Sequence, residues 1–155
     1  NIILTNVGKT AEKTKIDCQN ILKKENLIDK VKFKEFIPYE KLSIEYSKAD
    51  VVVVPSEIYE SFSYTVAQGM ACEKIVIGSK IGGIPETLKF GALGMMFNPG
   101  DIVELAKLIE QVLINKSKHK IKEKNARKHI IENFSNAALK ERYLRFYQSL
   151  INVKN

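Results

Sequence analysis

Cysteine is scarce in this sequence and long apolar runs are missing, and each shortage excludes a class of protein. Only Cys18 and Cys72 occur among 155 residues, without a CxxC pair, so neither a disulfide framework nor a zinc site is expected. No run reaches about 18 apolar residues, so no segment is predicted to span a membrane. No charged-then-apolar leader opens the chain, so we expect no signal peptide and a cytoplasmic location.

Positive charge is concentrated at one end of the chain. The sequence carries 25 Lys and Arg against 18 Asp and Glu. From Lys116 to the end, eleven cations stand against three glutamates, so this basic segment carries +8. Only three cations of the chain are arginines, which argues against a nucleic-acid partner. Two interpretations stay open: a solvated helix face, or a peripheral contact with the anionic inner face of a membrane.

Short apolar runs alternate with helical patterns, and 45% of the residues are hydrophobic, enough for the core of one domain. Residues Val51–Val54 are four β-branched residues ended by Pro55, which predicts a strand buried on both faces. Further strands are predicted at 2–7, 31–36, 75–77 and 95–97, and helices at 63–72, 118–134 and 136–151. The alternation predicts an α/β fold with a doubly wound parallel sheet and extra C-terminal helices. Because Asn1 lies inside a predicted strand, we expect residues 1–155 to be one domain, N-terminally truncated, of a longer protein.

The loop from Pro55 to Ser63 is the first candidate site, because parallel sheets bind ligands where strands run into helix N-termini. Free N–H groups at such an N-terminus suit phosphate. Ser61 and Ser63 are small and can donate a hydroxyl, while Glu60 and Gln68 can bind the hydroxyls of one sugar. The alternative is that Ser63 only caps the helix, and that Gln68 and Glu60 are solvated.

A second candidate is the Gly82–Gly83 pair, followed by Pro85. Two glycines before a helix allow positive φ and close approach to an anion, or they form an ordinary turn. His119 and His129 lie in the basic segment, away from these loops. We therefore expect surface or packing roles for both histidines.

An ordered set of motifs carries a family resemblance. The motifs are Ala49-Asp50-Val51 to Pro55-Ser56, Glu60-x-Phe62, Met70-Ala71-Cys72, Val76-Ile77, Gly82-Gly83-Ile84-Pro85-Glu86 and Pro99-Gly100-Asp101, with Asp29 to Phe33 and Phe36-Ile37-Pro38 upstream. This set resembles the C-terminal, donor-binding domain of the group 1 (family 4) glycosyltransferases, which have the GT-B fold. The resemblance covers about residues 1–115. It implies the Rossmann-like half of a GT-B fold and hexose transfer from a nucleoside diphosphate sugar to an acceptor hydroxyl, with retained configuration.

The resemblance also assigns roles to individual residues. Glu60 is expected to contact the donor sugar as the catalytic residue, and Gln68 stands where the family has a second acidic residue that binds the ribose. The diphosphate is assigned to Ser61, Phe62, Ser63, Tyr64 and Thr65, and the base to Phe36, Ile37 and Pro38. No metal or other cofactor is expected.

Three departures from the family pattern bear on activity rather than on fold. Gln68 is uncharged, serines at 61 and 63 replace glycines, and Glu73-Lys74-Ile75 replaces a Gly-x-Pro turn. The family's phosphate-binding Arg and Lys and its N-terminal acceptor domain precede the segment seen here. We therefore expect these residues alone to bind donor weakly and not to turn over. Two alternative functions stay open: a non-catalytic α/β binding module of the same fold, and a nucleic-acid binder that uses the Lys116–Lys128 run.

Overall fold

A computed structural model of the protein describes residues 2–152. Contacts divide the chain into two compact units, residues 1–42 and residues 43–155. In each unit the strands pair in parallel and helices connect them, which confirms the predicted α/β class. The strands form two sheets, one in each unit. That the whole chain is one domain of a longer enzyme stays a prediction.

The first unit contains a two-stranded sheet. Its elements are β1 (Leu4–Val7), α1 (Glu12–Lys24), a 3-10 turn (Ile28–Lys30) and β2 (Val31–Lys34). The strands are in register from Leu4 opposite Val31 to Val7 opposite Lys34. None of residues 2–42 is buried.

Both predicted strands of this unit are shorter in the structure. The Gly8 N–H donates to the Lys34 carbonyl at 2.9 Å, and β2 has no partner strand beyond that point. The prediction that Phe36 belongs to the strand is therefore wrong, and its side chain is 85% exposed. Ile2 and Ile3 precede β1, and Asn1, also predicted in the strand, lies outside the described residues.

The second unit contains a three-stranded sheet in the order β3–β4–β5. After α2 (Tyr39–Lys48), which spans the boundary between the units, its elements are β3 (Val51–Val54), α3 (Tyr64–Ala71), β4 (Ile75–Ser79), α4 (Ile84–Thr87), a 3-10 turn (Lys89–Gly91), β5 (Met95–Phe97), α5 (Ile102–Ile114), a 3-10 turn (Lys116–His119), α6 (Lys120–Phe134) and α7 (Asn136–Asn152). The single helix predicted over 118–134 is thus divided, with the 3-10 turn ending at His119. Between residues 2 and 152, no helix is both long enough and apolar enough to cross a bilayer.

Helices cover both faces of this sheet, as a doubly wound arrangement requires. Val52, Val54 and Val76 pack on one face with residues of α3 and α6, while Ile75 and Ile77 pack on the other with α5. All five residues of β4 are buried. The predicted end of this strand at Ile77 is two residues too early, because Gly78 and Ser79 still pair with Met96 and Phe97 of β5.

Part of the basic segment has a structural role in this unit. Lys122 Nζ donates to the carbonyls of Gly91 and Gly94, at 2.9 and 3.2 Å. Arg127 donates to the Ala71 carbonyl at the end of α3 and forms an ion pair with Glu73. These contacts hold α6 in place, so part of its positive charge is already engaged in hydrogen bonds and an ion pair within the protein.

His129 on α6 lies in an aromatic contact. Its ring meets Phe134 edge-on, with centroids 5.5 Å apart, and Phe134 stacks against Phe62 at 5.2 Å. Partial burial lowers the pKa of His129 below its usual 6.5, and the positive charge of Lys89 lowers this pKa further. The negative charge of Glu132 raises it, but by less. The folded chain therefore favours neutral His129.

We expect acid to destabilise this region through His129. The unfolded chain takes up more protons below about pH 6.5, so the free energy of unfolding falls as pH drops below that value. The test follows the His129 ring protons by NMR titration. We expect a midpoint below the usual value, moved up by Lys89→Ala and down by Glu132→Gln. A midpoint that neither substitution moves would contradict the electrostatic explanation.

Candidate functional site

Two serines at the ends of adjacent strands hold the loop that follows β3. Ser79 ends β4, is 0% exposed, and donates from its hydroxyl to the Ser56 carbonyl at 2.7 Å. The Ser56 hydroxyl in turn donates to Glu60 Oε1 at 2.8 Å. The position of the Glu60 carboxylate is therefore coupled to the buried central strand, and its second oxygen has no hydrogen-bond partner within residues 2–152.

The Gly82–Gly83 turn supports the same loop from the other side. The Gly83 N–H donates to the Glu60 carbonyl at 2.8 Å. A Cβ on Gly82, whose φ is +56°, would lie 2.2 Å from the Glu60 carbonyl oxygen, and one on Gly83 would lie 2.1 Å from that of Ser61. Side chains are excluded here by backbone packing, and the Gly83 N–H is used within the protein. These contacts favour the turn over the anion-site interpretation of the two glycines.

The N-terminus of α3 follows directly after this loop. Ser63 is its N-cap residue, is 1% exposed, and makes no capping bond through its side chain. Ser61, Tyr64 and Thr65 are exposed, whereas Phe62 is half-buried against Phe134. Since first-turn N–H groups have no partner inside a helix, α3 presents hydrogen-bond donors and a partial positive charge at its N-terminus, which follows the Glu60 loop in the chain.

Gln68, one turn into α3, has a partner that the sequence analysis did not assign to the site. The Tyr46 hydroxyl on α2 donates to Gln68 Oε1 at 3.1 Å. Burial raises the pKa of Tyr46 above its usual 10.0, the nearby Cys72 raises it further, and a hydrogen bond from the Thr65 side chain lowers it. Tyr46 therefore stays protonated, and a donor, over the working pH range of most enzymes.

The residues assigned to the base lie in the first unit. Phe36 and Pro38 are exposed and Ile37 is half-buried. The Pro38 carbonyl accepts a hydrogen bond from the Lys41 N–H at 2.9 Å, which begins α2. The loop thus leads directly into the first turn of α2.

Two cavities lie elsewhere in the second unit. One, of about 60 Å³, is lined by Asp50, Lys74, His119 and Glu123 among others, and His119 Nε2 is buried there without a hydrogen-bond partner in the described part of the chain. The other, of about 260 Å³, is open and lined by Lys89, His129 and neighbours. Neither includes Glu60, Ser61 or Gln68 in its lining.

Three supporting residues, which hold the site loop or a site side chain, were not predicted from the sequence: Tyr46, Ser56 and Ser79. A serine after each of two buried strands was a usable signal, because parallel strands end at the same edge of a sheet. Nothing in the local pattern around Tyr46 indicates that its hydroxyl meets Gln68, 22 residues away.

The structure shows an α/β fold with a polar loop at the carboxyl end of its parallel strands, and the family follows from comparison. The chain belongs to the glycosyl transferases group 1 family, whose model matches residues 1–129. This confirms the resemblance drawn from the motifs.

Relatives agree with that assignment. N-acetyl-alpha-D-glucosaminyl L-malate synthase of Bacillus anthracis is 29% identical over 103 residues, 66% of this chain and 27% of the relative. Lipopolysaccharide 1,2-N-acetylglucosaminetransferase of Salmonella typhimurium is 36% identical over 80 residues, 51% of this chain and 21% of the relative. The chain thus spans about a quarter of the length of the curated relatives it matches.

Solved structures show the same fold. Sucrose-phosphate synthase from Thermosynechococcus elongatus superposes with a TM-score of 0.83 and 29% identity, over 97% of this chain and 39% of that one. Anabaena Alr3699/HepE, solved in complex with UDP-glucose, gives a TM-score of 0.84 at 23% identity, over 95% and 41%. The predicted GT-B relationship is therefore confirmed at the level of fold, while the roles of individual site residues stay predictions.

Removal of the Ser79 hydroxyl should loosen the loop. Ser79→Ala leaves the Ser56 carbonyl without its partner, and we expect a loss of about 1–3 kcal/mol in the free energy of unfolding, with faster amide exchange across residues 56–61. Ser47→Ala is the matched control, since its hydroxyl donates to the Ile44 carbonyl at 2.7 Å on an exposed surface. Equal losses in both variants would contradict the anchoring role.

Gly83→Ala should displace the Glu60–Phe62 backbone, because the added Cβ collides with a carbonyl oxygen. The expected cost is about 1–3 kcal/mol, measured by chemical denaturation together with backbone chemical shifts. Gly69→Ala is the comparison, since its Cβ would meet only valine side chains, at 3.0 Å or more. Loop shifts as large in Gly69→Ala as in Gly83→Ala would refute the explanation.

Proposed function

We propose that this chain is the donor-binding part of a hexosyltransferase that uses a nucleoside diphosphate sugar. The observation that carries the proposal is the Glu60 carboxylate, held by Ser56 at 2.8 Å in the loop that joins the carboxyl end of β3 to the N-terminus of α3. The free N–H groups and the positive end of the dipole at a helix N-terminus can bind a diphosphate. A carboxylate held in one position can accept hydrogen bonds from sugar hydroxyls. A neighbour of the same fold was solved with UDP-glucose bound, which supports this class of donor.

In the proposed mechanism the chain acts mainly through electrostatics. The first-turn N–H groups of α3 bind the diphosphate and stabilise the charge that it gains as the glycosidic bond breaks. Glu60 contacts the donor sugar as positive character develops there. Gln68 binds the ribose, and residues 36–38 contact the base. The acceptor oxygen then bonds to the anomeric carbon with retention of configuration, and its proton passes to the departing diphosphate. NMR of the product anomer tests the retained configuration directly.

The chain covers only part of its relatives, so turnover is assigned to the longer protein. We propose that residues 1–155 alone bind donor weakly and do not transfer sugar, because the acceptor side lies outside them. The location in the cytoplasm, contact with an anionic membrane and lack of nucleic-acid binding stay predictions.

Glu60→Ala in the full-length enzyme should lower kcat for transfer by at least about 100-fold while nucleotide binding persists, since the lost contact acts on the developing charge. Glu57→Ala is the matched control, an exposed acid in the same loop, and should keep its activity. The measurement is transfer from UDP-, GDP- and ADP-sugars. Full activity in Glu60→Ala would remove Glu60 from the mechanism. Donor binding without any transfer by the natural enzyme would favour the non-catalytic module.

A further inference from the structure

Tyr46 contacts Gln68, the uncharged residue that stands where the family has a second acidic residue. Its ring packs against the core of the second unit. Its hydroxyl, on α2, donates to Gln68 Oε1, on α3, at 3.1 Å. A half-buried tyrosine anchored in this way has a fixed hydroxyl position. The neighbouring amide therefore meets a defined partner on one side.

The direction of this hydrogen bond decides which end of the amide faces outward. A glutamine amide has an oxygen that accepts and a nitrogen that donates two protons, and the two ends are nearly equal in shape. Tyr46 donates to the oxygen. The oxygen end of the amide is thus held toward α2.

The nitrogen end of Gln68 is the part left for a ligand. Among residues 2–152 no group accepts a hydrogen bond from Gln68 Nε2. A carboxylate in this place could only accept hydrogen bonds, whereas an oriented amide offers two donors. Ribose hydroxyls accept hydrogen bonds as well as donate them, so they can pair with an amide that donates as well as with a carboxylate that accepts.

We propose that Tyr46 is a positioning residue that orients the Gln68 amide, so that its N–H groups donate to the ribose hydroxyls of the donor nucleotide. This inference rests on the proposed function. Without the Tyr46 hydroxyl the amide can rotate by a half turn, and part of the population presents the wrong end. The substitution should then weaken binding of the ribose and leave the rate of the transfer step unchanged.

The experiment compares nucleotides with and without ribose hydroxyls in the full-length enzyme. Dissociation constants are measured for UDP, GDP and ADP and for their 2′,3′-dideoxy counterparts. For the nucleotide that binds, Tyr46→Phe should lower the preference for the ribose form by about 3- to 10-fold, the usual range for one hydrogen bond. Binding of the dideoxy form and kcat at saturating donor should stay unchanged. Tyr143→Phe, a substitution of an exposed tyrosine on α7, is the matched control.

A double-mutant cycle separates positioning from general damage. In the Gln68→Ala background, Tyr46→Phe should have no further effect on the preference, because the two residues act through one contact. Additive effects would overturn the proposal. As a second readout, the Gln68 side-chain amide protons, assigned by their absence in Gln68→Ala, should shift on nucleotide binding in the natural enzyme, and less in Tyr46→Phe.

Failure of this inference can be told from failure of the proposed function. An enzyme that binds a ribonucleoside diphosphate, but whose ribose preference Tyr46→Phe leaves intact, overturns only the role of Tyr46. An enzyme that binds none of the three nucleotides overturns both.

Discussion

The hydrogen bond from the Ser79 hydroxyl to the Ser56 carbonyl, 2.7 Å long and buried, connects the ends of two parallel strands. Through Ser56 it reaches the Glu60 carboxylate, so the loop of the candidate site is attached to the most buried strand of the sheet. A buried hydroxyl and carbonyl strongly favour being paired, since leaving either unpaired costs free energy. The loop conformation therefore depends on β4 keeping its place between β3 and β5.

Backbone packing supports the loop on its second side. The Gly82–Gly83 turn approaches Glu60 and Ser61 so closely that no side chain fits, and it contributes an N–H to the Glu60 carbonyl. The loop is held by hydrogen bonds at both ends of Glu60, through its side chain and through its main chain. Preorganisation of this kind is what electrostatic catalysis requires, because the charges then need no rearrangement during the reaction.

The polar contacts of the second unit also help to hold the basic helix α6 against its neighbouring elements. Lys122 and Arg127 satisfy carbonyl groups at the ends of neighbouring elements. Such groups at helix and strand ends lack partners within their own element. Net charge counted along the sequence therefore overstates how much positive charge α6 offers to another molecule.

The sequence by itself determined the parallel α/β class, the buried β3 and β4, the helix after the Glu60 loop and the family, because each follows from local composition or from an ordered set of motifs. It did not determine where β2 ends, since Phe36 follows the β pattern but has no strand left to pair with. Only the tertiary structure decided that Ser79 anchors Ser56, that Gly83 packs on Ser61 and that Tyr46 meets Gln68. These contacts join residues 22 or 23 apart along the chain or depend on backbone atoms that every residue shares, so no local pattern encodes them.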